Sequence, residues 1–448
     1  MRRIGSPFSV RTCCGLRFAA TSAGKIGQNL RCPPHPLLVR PMATLPSPSD
    51  DTRGPDGPLA VFLIFLRLGL TSFGGPVAHL AYFREELVRR RGWLSEAAYA
   101  DVVALCQCLP GPASSQTGIA LGLARAGHGG ALAAWLGFTL PSALAMIVFA
   151  LGVTRYGMAA VPGALHGLKL VAVAVVAQAV WGMARTLCVG PVRIAIMLVA
   201  AGTVLAWPGP WAQVALMAAA AVAGMVLLRP ALAGAHEPLR LPVTHRGGVL
   251  ALALFAALLA GLPLLAQWAA DPAVRVFDAF FRAGALVFGG GHVVLPLLDA
   301  AVVGPGWVGK EAFLAGYGAA QAMPGPLFSF AAFLGAAMQK PPTGLAGGLL
   351  CTLAIFLPGA LLVLGALPFW ESLRRNQRAQ AALAGINAGV VGLLLAALWH
   401  PVWTSAVQGP LDIVLVALAL VALMRWKLPP WLVVVASGVA GWAVAALL

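Results

Sequence analysis

The chain has 448 residues, of which 60% are hydrophobic and only 10% charged, and its formal net charge is +16. An average soluble domain is roughly 25% charged, so this sequence has too little polar surface to enclose a soluble core, and its mean hydropathy of +0.87 agrees. The positive charge does not mark a nucleic-acid binder. Seven basic residues (Arg2, Arg3, Arg11, Arg17, Lys25, Arg31 and Arg40) precede residue 42 with no acid among them, and the rest scatter through short loops without forming a basic stripe.

From the N-terminus, residues 1–58 read as a disordered or non-native leader. The stretch before Met42 is Arg-rich and holds Cys13, Cys14 and Cys32, but no apolar run long enough for a signal-peptide core. An organelle transit peptide fits that composition; a true start near Met42 fits it better. Residues 42–58 are rich in Pro, Ser, Asp and Gly, with too little apolar content to order.

Beyond residue 59, apolar runs of bilayer-crossing length recur to the C-terminus, about thirteen in all. They cover 59–76, 97–124, 129–152, 163–186, 191–206 and 211–228, then 248–268, 276–298, 311–338, 343–367, 381–400, 410–425 and 430–447. The chain repeats itself across them. FLRLGLTSFGGP at 65–76 returns as FFRAGALVFGGG at 280–291, and RGWLSEAAYADVVALCQCLPGP at 91–112 as PGWVGKEAFLAGYGAAQAMPGP at 305–326. LPSAL at 140–144 matches LPGAL at 357–361, Trp181 pairs with Trp399, and Pro210-Trp211 with Pro430-Trp431. The domains are therefore a first repeat over 59–228, a basic connection over 229–247, and a second repeat over 248–448 with one extra leading helix. The equivalent spans 59–76 and 276–298 are first and eighth, an odd displacement, so the halves are expected to face opposite ways, as an all-α inverted repeat. Loop Lys and Arg residues then favour a cytoplasmic N-terminus, with the Arg84–Arg91 loop as an exception on the outside.

The R-x-G-x-x-x-F-G-G motif, His79 shortly after it, the G-W-L-S-E segment and the C-Q-x-L-P-G-P run resemble the chromate ion transporter family in its long two-half form. The resemblance spans 59–448 and implies a multi-pass protein of the cell inner (plasma) membrane that confers chromate resistance by anion efflux. The second half departs from the first: Gly291 stands for Pro76, His292 lies two positions from the place of His79, and Leu327-Phe328-Ser329 replaces Ala113-Ser114-Ser115. Whether the halves contribute equally to one site stays open.

Four pieces of chemistry point to an oxyanion. Arg67 and Arg282 lie inside apolar spans, where a charge is costly unless it meets a cavity or partner, and a guanidinium fork suits oxyanions. For Arg282 the plain alternative is an ion pair with Asp278, four residues earlier on the same helix face. The glycine pairs Gly74-Gly75 and Gly289-Gly290 interrupt their helices and allow close backbone approach, unless they are ordinary helix ends. Pro110-Gly111-Pro112 and Pro324-Gly325-Pro326 stop one helix and start another, exposing N–H groups at a positive helix end; a simple kink is the alternative. Gln107, Gln321, Ser114, Ser115 and Gln116 supply further donors. His79, Asp101 and His292 are proton-coupling candidates, against the commoner role of packed polar residues. His166 is a further candidate proton carrier. Cys106 and Cys108 point to different helix faces and read as packing.

The expectation is a secondary transporter moving chromate or a sulfate-like oxyanion through the lipid bilayer, with no cofactor, no metal and no nucleic acid, and with oligomerisation undetermined. No Walker-type loop occurs to couple ATP. Import of sulfate is one alternative. A membrane-embedded enzyme is another, disfavoured because no metal-ligand cluster or nucleophile with a paired base is present.

Overall fold

The computed structural model describes residues 57–156, 162–207, 210–229, 243–269, 271–288 and 291–447. The expected leader, Gly289, Gly290 and most of the basic connection lie outside the described residues. The described chain is helical throughout, as backbone burial in lipid demands of a non-barrel protein.

The first half opens with α1 (Pro58–Thr71), which is followed by α2 (Gly75–Phe83) and a π-helical segment, Arg84–Arg90. The Phe65 and Phe83 rings meet edge-on with centroids 5.4 Å apart, whereas one continuous helix would hold them about 27 Å apart. The chain therefore turns back at Ser72–Gly74. Next come α3 (Glu96–Cys108) and α4 (Ala113–Tyr156), the latter broken at Ala126 and Gly127. The first arm of α4, residues 113–125, returns along α3, since the Arg125 guanidinium lies 5.8 Å from the Trp93 ring. Both hairpins open on one face, where Arg84 donates to Glu96 at 2.6 Å and Pro58 packs against Gly129. From there the second arm of α4 runs to the other face. It is followed by α5 (Pro162–Leu187), α6 (Pro191–Ala206) and α7 (Pro210–Leu227).

After α8 (His245–Trp268) the pattern repeats. One hairpin is α9 (Pro272–Ala285) with α10 (Val294–Leu298) and the π-helical Asp299–Val303. The other is α11 (Lys310–Ala320) with α12 (Phe330–Ala336), closed where Gln339 N–H donates to Trp307 O at 3.0 Å. Then follow α13 (Gly344–Ala366), α14 (Trp370–Arg375), α15 (Gln377–Ala397), α16 (Thr404–Ala406), α17 (Pro410–Met424) and α18 (Pro430–Leu447).

α4 and α13 lie antiparallel. Ile147 packs on Gly348 near one end, and Trp135 meets Phe356 at 5.9 Å farther along. The hairpins of the first half open beside the start of the crossing arm of α4, and those of the second half beside the start of α13. The repeats are thus inverted, as expected from parity. Of the expected crossing segments, 59–76, 97–124, 276–298 and 311–338 are re-entrant: their α-helical arms of 5–14 residues reach at most about 21 Å, short of a roughly 30 Å hydrocarbon core. Hydropathy sees only apolar length, so it cannot distinguish a hairpin from a crossing. Five segments are long and apolar enough to cross, and shorter apolar helices accompany them.

The re-entrant turns also move charges. Arg84, Arg89, Arg90, Arg91 and Arg125 come to the same face as Arg193, Arg246, Arg375, Arg378, Arg425 and Lys427, while Arg155, Arg275, Lys310 and Lys340 lie at the opposite face. The Arg84–Arg91 loop is therefore no longer an exception.

The halves also exchange helices. Gly167 on α5 sits against Ser437 of α18, and its repeat partner Gly385 on α15 sits against Ala220 and Gly224 of α7, both at backbone contact. Small residues at such crossings let membrane helices pack without a hydrophobic driving force. Gly385→Val should lower the unfolding temperature of detergent-solubilised protein by several degrees, in line with an overpacking cost of about 1–3 kcal/mol. A thermal melt showing no shift would contradict this packing.

Candidate functional site

All four hairpin tips carry turn chemistry, and they meet in pairs across the halves. Gly111 N–H donates to Val287 O at 2.6 Å, and Gly325 N–H donates to Ser72 O at 2.9 Å. Ser72 and Val287 are repeat partners, as are Gly111 and Gly325, so each half's Pro-Gly-Pro turn closes on the other half's glycine-rich tip. This reciprocal exchange marks the pseudo-twofold axis. Gly111 has φ +121° and Gly325 φ +93°, a region that residues with a Cβ rarely occupy. A Cβ on Gly111 would stand 3.1 Å from Gly359, and one on Gly325 3.0 Å from Ser142 Oγ; those neighbours are again repeat partners.

The first arm of α4 starts beside this axis. Its first backbone bond runs from Gln116 N–H to Pro112 O at 2.9 Å, so the N–H groups of Ala113, Ser114 and Ser115 precede the helical ladder. Gln116 Nε2 donates to Pro110 O at 2.9 Å and to Gly359 O at 3.1 Å, tying the turn to α13. His79 of α2 is buried, with Nδ1 3.4 Å from Ser114 Oγ and its ring edge-on to Phe138 at 5.2 Å. Ser142 Oγ donates to Thr139 O at 3.0 Å. Buried Ser72 Oγ, His79 Nε2, Ser115 Oγ, Gln116 Oε1 and Thr139 Oγ1 have no hydrogen-bond partner. A cluster of unmet donors and acceptors at a positive helix end suits an anion.

The expected site residues divide. Gly74, Pro110, Gly111, Pro112, Ser114, Ser115, Gln116, Pro324, Gly325 and Pro326 lie at or beside the tips, as does Gly75, with φ +77°. Arg67 is exposed less than two turns before Ser72, on a face with Leu59, Leu63 and Leu70, and makes no ion pair among the described residues. Arg282 takes the plain alternative: it donates to Asp278 through Nε at 3.0 Å and Nη2 at 2.6 Å. Gln107 is exposed, and Gln321 Nε2 is buried without a partner. Asp101 is buried in α3, and His292 Nδ1 lies 2.8 Å from the Tyr317 hydroxyl. His166 Nε2 lies 2.7 Å from Asp412, linking α5 to α17. Sequence reasoning missed Ser72, Thr139 and Ser142; aligning the repeats position by position would have flagged them as polar where the second half has Val287, Phe356 and Gly359. An apolar groove of about 480 Å³ between α5, α17 and α18 contains none of these residues and no charged side chain.

The family model for chromate transporters matches residues 59–225 and again 274–442. A chromate transport protein of Pseudomonas aeruginosa is 31% identical over 86% of this chain and 92% of its own length. A chromate transport protein of Cupriavidus metallidurans is 28% identical over 81% of this chain and 86% of its own. No solved structure matches. With both inverted halves matched in turn, the chain belongs to the chromate transporter family.

Proposed function

We propose that this chain is a secondary transporter that exports chromate, or a sulfate-like oxyanion of the same charge and shape, across the cell inner membrane. The observation that carries this reading is the convergence of two broken helix pairs from inverted halves on unmet polar groups at the start of α4. Secondary transporters bind at such repeat interfaces, where half-helix N-termini face anionic groups. The named relatives transport chromate.

Direction follows from charge. The face crowded with arginines, which also holds the start of α1, is the cytoplasmic one by the positive-inside bias. Expelling a dianion from a cell that is negative inside gains about 4.6 kcal/mol per 100 mV, enough for a gradient above about a thousandfold at 1.4 kcal/mol per tenfold. Proton coupling through His79, Asp101 or His292 is an addition that these energetics do not require.

In right-side-out vesicles loaded with chromate, an imposed inside-negative potential should accelerate efflux with no pH gradient present. Efflux that follows only the pH gradient and ignores potential would overturn this driving force. Sulfate uptake into empty vesicles driven by an imposed inward proton gradient, with no potential-driven chromate efflux, would favour sulfate-type import instead.

A further inference from the structure

We infer that one of the two pseudo-equivalent tip clusters holds the oxyanion, the one in the first half, and that the hydroxyls of Ser72 and Thr139 are specificity-determining ligands within it. This rests on reading the tips as an oxyanion site.

The repeat gives a position-by-position comparison. Where the first half has Ser72, His79, Ser114, Gln116 and Thr139, the second has Val287, Val294, Phe328, Phe330 and Phe356. Both sets are buried: Ser72 is 0% exposed, His79 1%, Thr139 2%, and Phe328 and Phe356 2% each. In the second half the space is closed by rings. Phe328 and Phe356 lie 5.8 Å apart, and Phe330 packs on Phe313 at 5.2 Å. The same fold position is therefore filled by an apolar plug on one side of the axis and by polar groups on the other.

By the pseudo-symmetry of the halves, the Phe328–Phe356 contact puts their partners, Ser114 and Thr139, on the same side of the first-half tip. His79 is independently joined to both sides of that neighbourhood, through Ser114 Oγ and through the Phe138 ring next to Thr139. Ser72 belongs to the same place, since its carbonyl receives Gly325 N–H, and Gly325 abuts Phe138 O and Ser142. Three polar atoms around this point, Ser72 Oγ, His79 Nε2 and Thr139 Oγ1, have no partner.

The fold tolerates an apolar filling at these positions, as the second half demonstrates, so polar groups without partners here are not needed for packing. Buried polar groups are ordinarily satisfied. A tetrahedral dianion would satisfy them, taking hydrogen bonds from the two hydroxyls, the N–H groups that begin α4, and the imidazole. Such a cradle is built of neutral donors, which bind a dianion by number and geometry rather than by a fixed countercharge.

The test uses the full chain in proteoliposomes, with chromate and sulfate each as probe, alongside titration calorimetry in detergent. Expected are one oxyanion bound per chain, and a KM raised about tenfold in Thr139→Val and in Ser72→Ala, the order of one charge-assisted hydrogen bond. Thr139→Ser keeps the hydroxyl and should stay near the wild-type KM, which separates ligation from packing. Phe356→Leu, at the pseudo-equivalent position, should leave KM within about twofold. Two oxyanions per chain, a wild-type KM in Thr139→Val, or an equal rise in Phe356→Leu would overturn the inference while leaving oxyanion transport intact. A wild-type chain that binds and moves neither anion would overturn the underlying reading, and this assignment with it.

Discussion

Alanine at Gly111 or at Gly325 should reduce oxyanion flux more than tenfold at matched membrane expression. Both glycines have φ far into the positive range, where a residue with a Cβ is strained by about 1–3 kcal/mol. Both added methyls would also stand within 3.1 Å of the opposite half. The strain falls on the N–H groups that close each Pro-Gly-Pro turn onto the opposite tip, so the two inter-half bonds should weaken together with the helix starts they position. Gly152→Ala is the matched control, since nothing lies within 4 Å of its added methyl, and it should transport normally. Flux near wild type in both Gly111→Ala and Gly325→Ala would show that the crossing of the tips is not needed for transport.

The second large effect is expected at Arg67. An arginine at the centre of a membrane helix costs roughly 2.5–3.5 kcal/mol on insertion scales. The second half offsets that cost by giving Arg282 a carboxylate, Asp278, one turn earlier. The first half has Leu63 at the corresponding place, and Arg67 makes no ion pair among the described residues. A guanidinium left unpaired just before the tip is available to draw a dianion toward it. Arg67→Ala should abolish flux, and Arg67→Lys, which keeps the charge but not the planar fork, should weaken it substantially. Leu63→Asp would copy the second half's arrangement and pair Arg67 internally, and it too should silence transport. Arg89→Ala, in the exposed loop beside Glu85 and Glu96, should change little. Normal flux in Arg67→Ala would remove Arg67 from the pathway.

Much of this architecture was legible in residues 59–448. Among the described residues the glycine and proline motifs mark the turns, because glycine reaches positive φ and proline removes an N–H and stops the preceding helix. Parity gave the inverted relation correctly even though hairpins were counted as crossings: each half contributes two, and dropping an even number leaves parity unchanged. The Arg84–Arg91 loop looked misplaced for the same reason, since a crossing and a re-entrant pair differ in which face the next loop occupies. What the sequence could not give was partnership across the axis. That Gly325 meets Ser72 and Gly111 meets Val287 depends on two segments far apart in the chain. Ser72 and Thr139 did not stand out in the sequence because isolated hydroxyls in and beside apolar helices usually bond nearby backbone. Arg67 and Arg282 share a motif position, but Asp278, four residues before Arg282, already set them apart in the sequence, and the structure forms that pair.

Labelling from the two faces of the membrane separates inverted re-entrant hairpins from full crossings. Single cysteines would replace Arg90, Arg375 and Lys340 in a chain otherwise freed of cysteine, and each would be exposed to an impermeant thiol reagent in right-side-out and inside-out vesicles. Positions 90 and 375 should label from one face and position 340 from the opposite face. Labelling of position 90 together with 340, and apart from 375, is the pattern that full crossings require, and it would contradict the hairpin architecture.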